Sequence, residues 1–140
     1  MKALLMTILI PLTVNTASTE DMPATQDYAK VMHVDAIQSL NGTWCFNTQV
    51  IHNDEGWDHY ADTWQVTDAN NQLLAKRVLA HPHDKEQPFT RSQCGITIDE
   101  QTLTVEVSAK CNVHGFGGDS VTLDMKKTSG KGFTIKKLTN

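Results

Sequence analysis

Residues 102–109 read TLTVEVSA, and this stretch sets the expected fold class. Leu103, Val105 and Val107 alternate with polar residues, so an extended strand would bury one face and expose the other. Such alternation is typical of antiparallel sheets that are covered on one side. We therefore expect a half-buried antiparallel strand here.

Similar stretches occur on both sides of this strand. Each is rich in apolar and β-branched residues and is bounded by turn-forming residues. These further strands are predicted at residues 43–51, 60–67, 72–80, 89–98, 121–125 and 132–138. About seven strands over residues 43–138 predict an all-β domain, mainly an antiparallel sandwich or small barrel.

A different spacing precedes the strands. From Gln26 to Leu40 the apolar residues follow a helical period, which predicts an amphipathic helix packed on the sheet. Gly42 would end this helix, because glycine readily adopts the left-handed conformation after a last turn. We expect one domain, residues 19–140, with a helix at 26–40.

The N-terminus has the features of an export signal. Lys2 precedes an apolar run from Ala3 to Leu12, and a small-residue stretch then offers cleavage after Ala17 or Ser18. The run is shorter than the roughly 20 residues that cross a bilayer. No cysteine follows it directly, which disfavours a lipid anchor. We predict a signal peptide at 1–18 and a periplasmic or secreted domain that is free of the membrane after processing.

The charge of the chain excludes one class of partner. Lysine and arginine number 12 against 16 acidic residues, giving a formal net charge of −4. Nucleic acids and anionic membranes attract domains with a concentrated basic surface. We therefore expect no nucleic-acid binding and no membrane-surface binding.

Three cysteines, Cys45, Cys94 and Cys111, follow the predicted signal peptide. In an oxidising compartment two of them would pair and one would be left over. Three pairings are possible, and the sequence does not choose among them. The odd thiol would be buried, which is the commoner state of a free cysteine, or would join two copies as a homodimer.

The connections between strands are of two kinds, short turns and three long loops at 52–59, 81–88 and 110–120. In an up-and-down meander alternate connections lie at one end, so these loops would share a rim. Binding residues commonly lie on loops held by a rigid scaffold. The candidate partner-binding residues are Trp57, His59, His81, His83, His114, Gly115, Phe116 and Asp119.

A metal site is one interpretation of the histidines in these loops. His81-x-His83-Asp84, together with His52 or His59, offers the imidazole and carboxylate ligands that suit zinc or copper. The spacing matches no established zinc motif. The sequence therefore predicts neither a metal nor a cofactor, and a metal site stays an alternative.

An inhibitory loop is the other interpretation. Residues 113–119 (VHGFGGD) contain three glycines that allow a protruding backbone, with His114 and Phe116 as a polar tip and an apolar anchor. Such a tip suits an enzyme cleft lined by catalytic carboxylates, as in glycosidases. The glycines could equally serve only to shape a long hairpin.

One resemblance concerns the first predicted strand. Leu40-Asn41-Gly42-Thr43-Trp44 resembles the opening motif of lipocalins, in which a short helix precedes a Gly-x-Trp strand start. The resemblance implies a barrel that carries a small ligand. It is incomplete, because Arg77 and Arg91 are the only arginines and neither occurs late enough to cover Trp44. Trp44 is therefore expected to be an ordinary core residue.

The second resemblance concerns the whole chain. Its size, export signal, β-pattern and loop-borne rim are similar to those of small periplasmic inhibitors and immunity proteins that protect bacteria from cell-wall-degrading toxins. The resemblance implies a tight protein partner, a cell-wall hydrolase or similar toxin, and often a homodimer.

The sequence contains no Gly-x-Ser-x-Gly, no His-Glu-x-x-His, no phosphate-binding glycine loop and no Cys–His pair placed by a recognised catalytic motif. We therefore expect no enzymatic activity. The sequence predicts an exported protein that binds and inhibits another protein, most plausibly a lysozyme-like cell-wall hydrolase. The alternative is a lipocalin-like or metal-dependent carrier of a small ligand.

Overall fold

The computed structural model describes residues 27–140, so the predicted signal peptide and Gln26 lie outside the described residues. Within this range the chain forms ten β-strands. They are β1 (Lys30–Gln38), β2 (Trp44–Ile51), β3 (Ala61–Asp68), β4 (Leu73–Val78), β5 (Phe89–Ile96), β6 (Thr104–Cys111), β7 (Gly115–Phe116), β8 (Val121–Asp124), β9 (Ser129–Gly130) and β10 (Phe133–Lys137). The predicted all-β class is confirmed, and each of the seven predicted strands has a counterpart.

The strands form two five-stranded sheets. The first has the order β5-β2-β1-β10-β9, and the second has the order β4-β3-β6-β7 with β8 also paired to β6. Neither sheet closes on itself, so the architecture is two open sheets and not a closed barrel. The chain passes from one sheet to the other four times, after β2, β4, β5 and β8. It is therefore not a simple up-and-down meander.

The helix predicted at 26–40 is wrong for the described residues, because Lys30–Gln38 forms β1 in the middle of the first sheet. Strand β1 pairs antiparallel with β2 and parallel with β10. The pairing register has a bulge between Val31 and His33. The buried residues of the strand are therefore Val31, Val34 and Ala36, so that the first two are three positions apart and the last two are two positions apart. That one-residue shift turns a period of two into an apparent helical spacing. Among residues 27–140 no helix is long and apolar enough to cross a membrane.

One apolar core lies between the sheets. Phe46 and Val34 reach it from the first sheet, and Trp64 and Leu123 reach it from the second. All four side chains are fully buried. Burying side chains of this size stabilises a fold by about 2 to 3 kcal/mol each. Trp44 is 4% exposed, so its expected place in the core is confirmed.

The cysteine pairing follows from the sheet order. Cys45 in β2 forms a disulfide with Cys94 in β5, across 49 residues of sequence. Strands β2 and β5 are neighbours in the first sheet, which brings the two side chains together. Cys111, at the end of β6, is the free cysteine and is buried. Burial of the odd thiol was the commoner of the two expected outcomes.

Candidate metal centre

The three long loops meet at one end of the sandwich. The Tyr60 N–H donates to Asn112 Oδ1 at 2.9 Å and joins the first loop to the third. The Gly56 N–H donates to Asp84 Oδ1 at 3.0 Å and joins the first loop to the second. The shared rim expected from sequence is therefore present, although the first two loops cross between the sheets and the third stays within the second sheet. We call residues 52–60, 79–88 and 112–120 the loop rim.

Three potential metal ligands lie together at this rim, and a fourth side chain adjoins them. One nitrogen of His52, one nitrogen of His59 and the Cys111 sulfur all lie within 4.8 Å of one another. His114 adjoins them, with its Nδ1 3.6 Å from Cys111 Sγ and its ring centroid 4.9 Å from that of His59. The same Nδ1 lies 3.0 Å from the Asp27 backbone oxygen. We call these four side chains the His–Cys cluster.

The pairing of β3 with β6 brings two members of this cluster, His59 and Cys111, close together. Ala61, at the start of β3, lies opposite Cys111, at the end of β6. His59 is two residues before Ala61, so the loop that carries it begins next to Cys111. Cys111 also pairs with Gly115, which folds the chain back so that His114 lies over the thiol. Gly115 has a φ of +71°, a conformation that favours glycine.

The Cys111 side chain has the surroundings of a metal-binding thiol. The residue is 1% exposed, and the His114 backbone N–H donates to its sulfur at 3.2 Å. An N–H donor stabilises the negative charge of a thiolate, and the thiolate is the form that binds metals. An unpaired cysteine in an exported protein is therefore held here in a buried, imidazole-lined position.

His52 is oriented by a buried carboxylate. Its Nδ1 lies 2.6 Å from Asp54 Oδ1, and both side chains are 0% exposed. A tautomer with its proton on Nδ1, donated to the carboxylate, would leave the Nε2 lone pair available to a metal. Nε2 lies 3.2 Å from the Asp27 backbone oxygen, which is also 3.7 Å from Cys111 Sγ. Nε2 thus faces the cluster, and it also lies 3.6 Å from Asp27 Oδ2. A metal ion bound to Nε2 would take the place of these two oxygens.

His59 contributes a nitrogen that needs a partner. Its Nε2 is buried and has no hydrogen-bond partner within residues 27–140. Its other ring nitrogen lies 3.9 Å from Glu55 Oε2. A buried polar atom without a partner costs about 1 to 3 kcal/mol, and a metal ion would provide the missing bond.

The dimensions of the cluster fit a transition metal. Metal bonds to imidazole nitrogen and thiolate sulfur are about 2.0 to 2.3 Å long, which places tetrahedral donors about 3.3 to 3.8 Å apart. The donors of His52, His59 and Cys111 lie within 4.8 Å, so a contraction of about 1 Å would complete the site. Thiolate and imidazole are ligands for zinc, copper and iron, and not for magnesium or calcium.

The metal set considered from sequence is partly wrong. His52 and His59 belong to the cluster, but His83 is 5% exposed and stacks on the Phe89 ring at 3.8 Å. Asp84 accepts a backbone hydrogen bond on the rim instead. The ligands missing from that set are Cys111, considered earlier only for its disulfide, and His114, considered only for partner binding. The Cys-x-x-His spacing of Cys111 and His114 was the feature of the sequence that could have indicated these two ligands.

The predicted partner-binding residues fall into two groups. Trp57, Phe116, His81 and Asp119 are exposed on the loop rim. Trp57 is 65% exposed and Phe116 is 44% exposed. The side chains of His59, His83 and His114 are instead turned into the structure, and Gly115 shapes the β6–β7 turn.

A comparison with known proteins gives one informative relative. A protein of Halomicrobium mukohataei named "Putative lipoprotein" is 39% identical over 79 residues, which is 56% of this chain and 38% of the relative. This chain therefore matches well under half of that protein's length. A lipoprotein is an exported protein, so the relative supports the exported location predicted from the N-terminus. No family model matches the chain, and no solved structure matches it.

His83 predicts a pH dependence of folding stability. Burial lowers its pKa, and the nearby positive charges of Arg91 and His81 lower it further. The unfolded chain therefore binds the proton more readily than the folded chain. The stability from neutral His83 is fully present above the ordinary histidine pKa of about 6.5. It is lost as the pH falls from there towards the lowered pKa.

We expect His83→Phe to flatten this dependence, because phenylalanine keeps the stacking on Phe89 and cannot be protonated. The measurement is urea unfolding of both proteins between pH 7.5 and about pH 5. His33→Gln is the control, since His33 is half-exposed and paired with Asp35. Equal slopes for the wild type and His83→Phe would contradict the assignment.

Proposed function

We propose that this protein is an exported β-sandwich domain that binds one transition-metal ion. The ligands are the Cys111 thiolate and the imidazoles of His52 and His59, with His114 as the fourth. The observation that carries the proposal is the unpaired, buried Cys111 sulfur within 4.8 Å of two histidine nitrogens.

The donor set narrows the choice of ion. A thiolate with imidazoles selects zinc, copper or iron, because these ions accept soft and borderline ligands. The proposed ligands include no carboxylate, which distinguishes the site from oxygen-rich calcium or magnesium sites. The proposal departs from the sequence-based expectation of no cofactor. It develops the metal-dependent alternative with a different ligand set.

Each cluster residue has a separate task in this proposal. Cys111 binds as the thiolate, with the His114 N–H supporting its charge. His52 binds through Nε2, because Asp54 holds its Nδ1 proton. His59 provides the buried nitrogen that has no other partner in the described chain. Binding displaces the thiol proton, so metal affinity is expected to rise with pH.

Titration of the metal-free mature protein with Co(II), with the Cys45–Cys94 disulfide intact and Cys111 as the free thiol, tests the proposal. We expect one equivalent to bind and to produce a thiolate-to-cobalt charge-transfer band in the near ultraviolet. Cys111→Ser should abolish the band, and His52→Ala should weaken binding by about 100-fold or more, because each removes a ligand. Circular dichroism of each variant checks that the fold is kept.

His81→Ala is the matched control, because His81 lies on the same rim but outside the cluster. Its affinity for Co(II) should equal that of the wild type. Binding that is unchanged in Cys111→Ser, or lost equally in His81→Ala, would contradict the proposed ligand set.

Inhibition of another protein is the second candidate function. The observation that favours it is the exposure of two large aromatic side chains, Trp57 at 65% and Phe116 at 44%, on the loop rim. Exposed aromatic anchors are enriched at protein interfaces. The proposed partner is the lysozyme-like cell-wall hydrolase suggested by the sequence, and the proposed inhibitor is a homodimer of this chain.

We expect the mature periplasmic or secreted protein to slow peptidoglycan cleavage by such a hydrolase if this second function holds. Trp57→Ala and Phe116→Ala should each weaken inhibition by about 10-fold or more, because each removes an interface anchor. Leu103→Ala is the control, since Leu103 is 64% exposed and lies away from the rim. Cleavage that is unaffected by the wild-type protein would refute the hydrolase as partner.

A further inference from the structure

Asp54 is a buried carboxylate with three donors around it. Its Oδ1 accepts from His52 Nδ1 at 2.6 Å and from the Ala61 N–H at 2.9 Å. Its Oδ2 accepts from the His83 N–H at 2.7 Å. The side chain is 0% exposed. One carboxylate therefore connects the end of β2, the start of β3 and the loop before β5.

Within residues 27–140, no lysine or arginine forms an ion pair with Asp54. Among the described residues its ion-pair partners are His52, at 2.6 Å, and His83 Nδ1, at 3.9 Å. A buried carboxylate is costly unless a positive charge and hydrogen bonds compensate it. His83 contributes little charge, because burial lowers its pKa. We therefore expect a metal ion bound by His52 to supply the compensating positive charge.

We propose that Asp54 is a positioning residue of the metal centre. It acts through His52: the carboxylate accepts a hydrogen bond from Nδ1, fixes the ring, and directs Nε2 to the metal. Carboxylates that accept from a metal-binding histidine commonly change metal affinity by about 10-fold to 100-fold. This inference rests on the proposed metal-binding function.

The backbone contacts of Asp54 give it a structural task as well. Its bonds to Ala61 and His83 hold two segments together and would stabilise the fold without any metal. The two tasks differ in one respect. An effect on metal affinity that passes through His52 must disappear when the imidazole is absent, whereas a loss of folding stability must not.

A double-mutant cycle separates these tasks. We expect Asp54→Asn to weaken Co(II) binding by about 10-fold to 100-fold when His52 is present. In the His52→Ala background, the same change should weaken binding by less than about 2-fold, because the residue through which Asp54 acts is gone. Thermal unfolding of the metal-free proteins measures the structural effect separately in both backgrounds.

Asp84→Asn is the matched control, because Asp84 also accepts a backbone N–H on the rim but contacts no cluster residue. Its Co(II) affinity should equal that of the wild type. An equal loss from Asp54→Asn with and without His52 would overturn the proposal. A wild-type protein without the cobalt charge-transfer band would instead refute the metal site itself, so the two failures are distinguishable.

Nitrogen NMR of the zinc-loaded wild type tests the same point without a substitution that could prevent folding. The ring nitrogens of His52 should show a proton on Nδ1 and the metal shift on Nε2. A proton on Nε2, with the metal on Nδ1, would overturn the positioning role.

Discussion

The pairing of β3 with β6 is the constraint on which the candidate site depends. This ladder places Ala61 opposite Cys111, and so places the loop that carries His59 beside the one free cysteine of the described chain. Both strands lie in the middle of the second sheet, and their inward side chains, including Trp64 and Val107, are buried. The stability of the core therefore fixes the position of the thiol.

The first sheet supplies the remaining ligand and its support. Strand β2 ends immediately before His52, and the turn that follows brings Asp54 under it. The result is a thiol and imidazoles gathered around the Asp27 backbone oxygen, which lies 3.2 Å from His52 Nε2, 3.0 Å from His114 Nδ1 and 3.7 Å from Cys111 Sγ. Within residues 27–140, His59 Nε2 has no hydrogen-bond partner. The unpartnered His59 nitrogen is costly, and a metal ion would satisfy it, which is why we interpret the cluster as functional.

Local patterns predicted the strands because burial on one face leaves an alternation that is visible in the sequence. The strand β1 was missed because its bulge at Val31 produced a helical spacing. The histidine-rich loops were correctly expected to share a rim. Cys111 was not recognised as a ligand, because the sheet pairings that bind Cys45 to Cys94 and place Cys111 beside His59 connect residues about 50 apart in sequence. The local Cys-x-x-His spacing does not reveal these long-range pairings.

X-ray absorption at the metal edge of the zinc-loaded mature protein tests the central claim most directly. The account predicts one sulfur neighbour at about 2.3 Å, with imidazole nitrogens at about 2.0 to 2.1 Å. The sulfur signal should vanish in Cys111→Ser. A first shell of nitrogen and oxygen only, in the wild-type protein, would contradict the account.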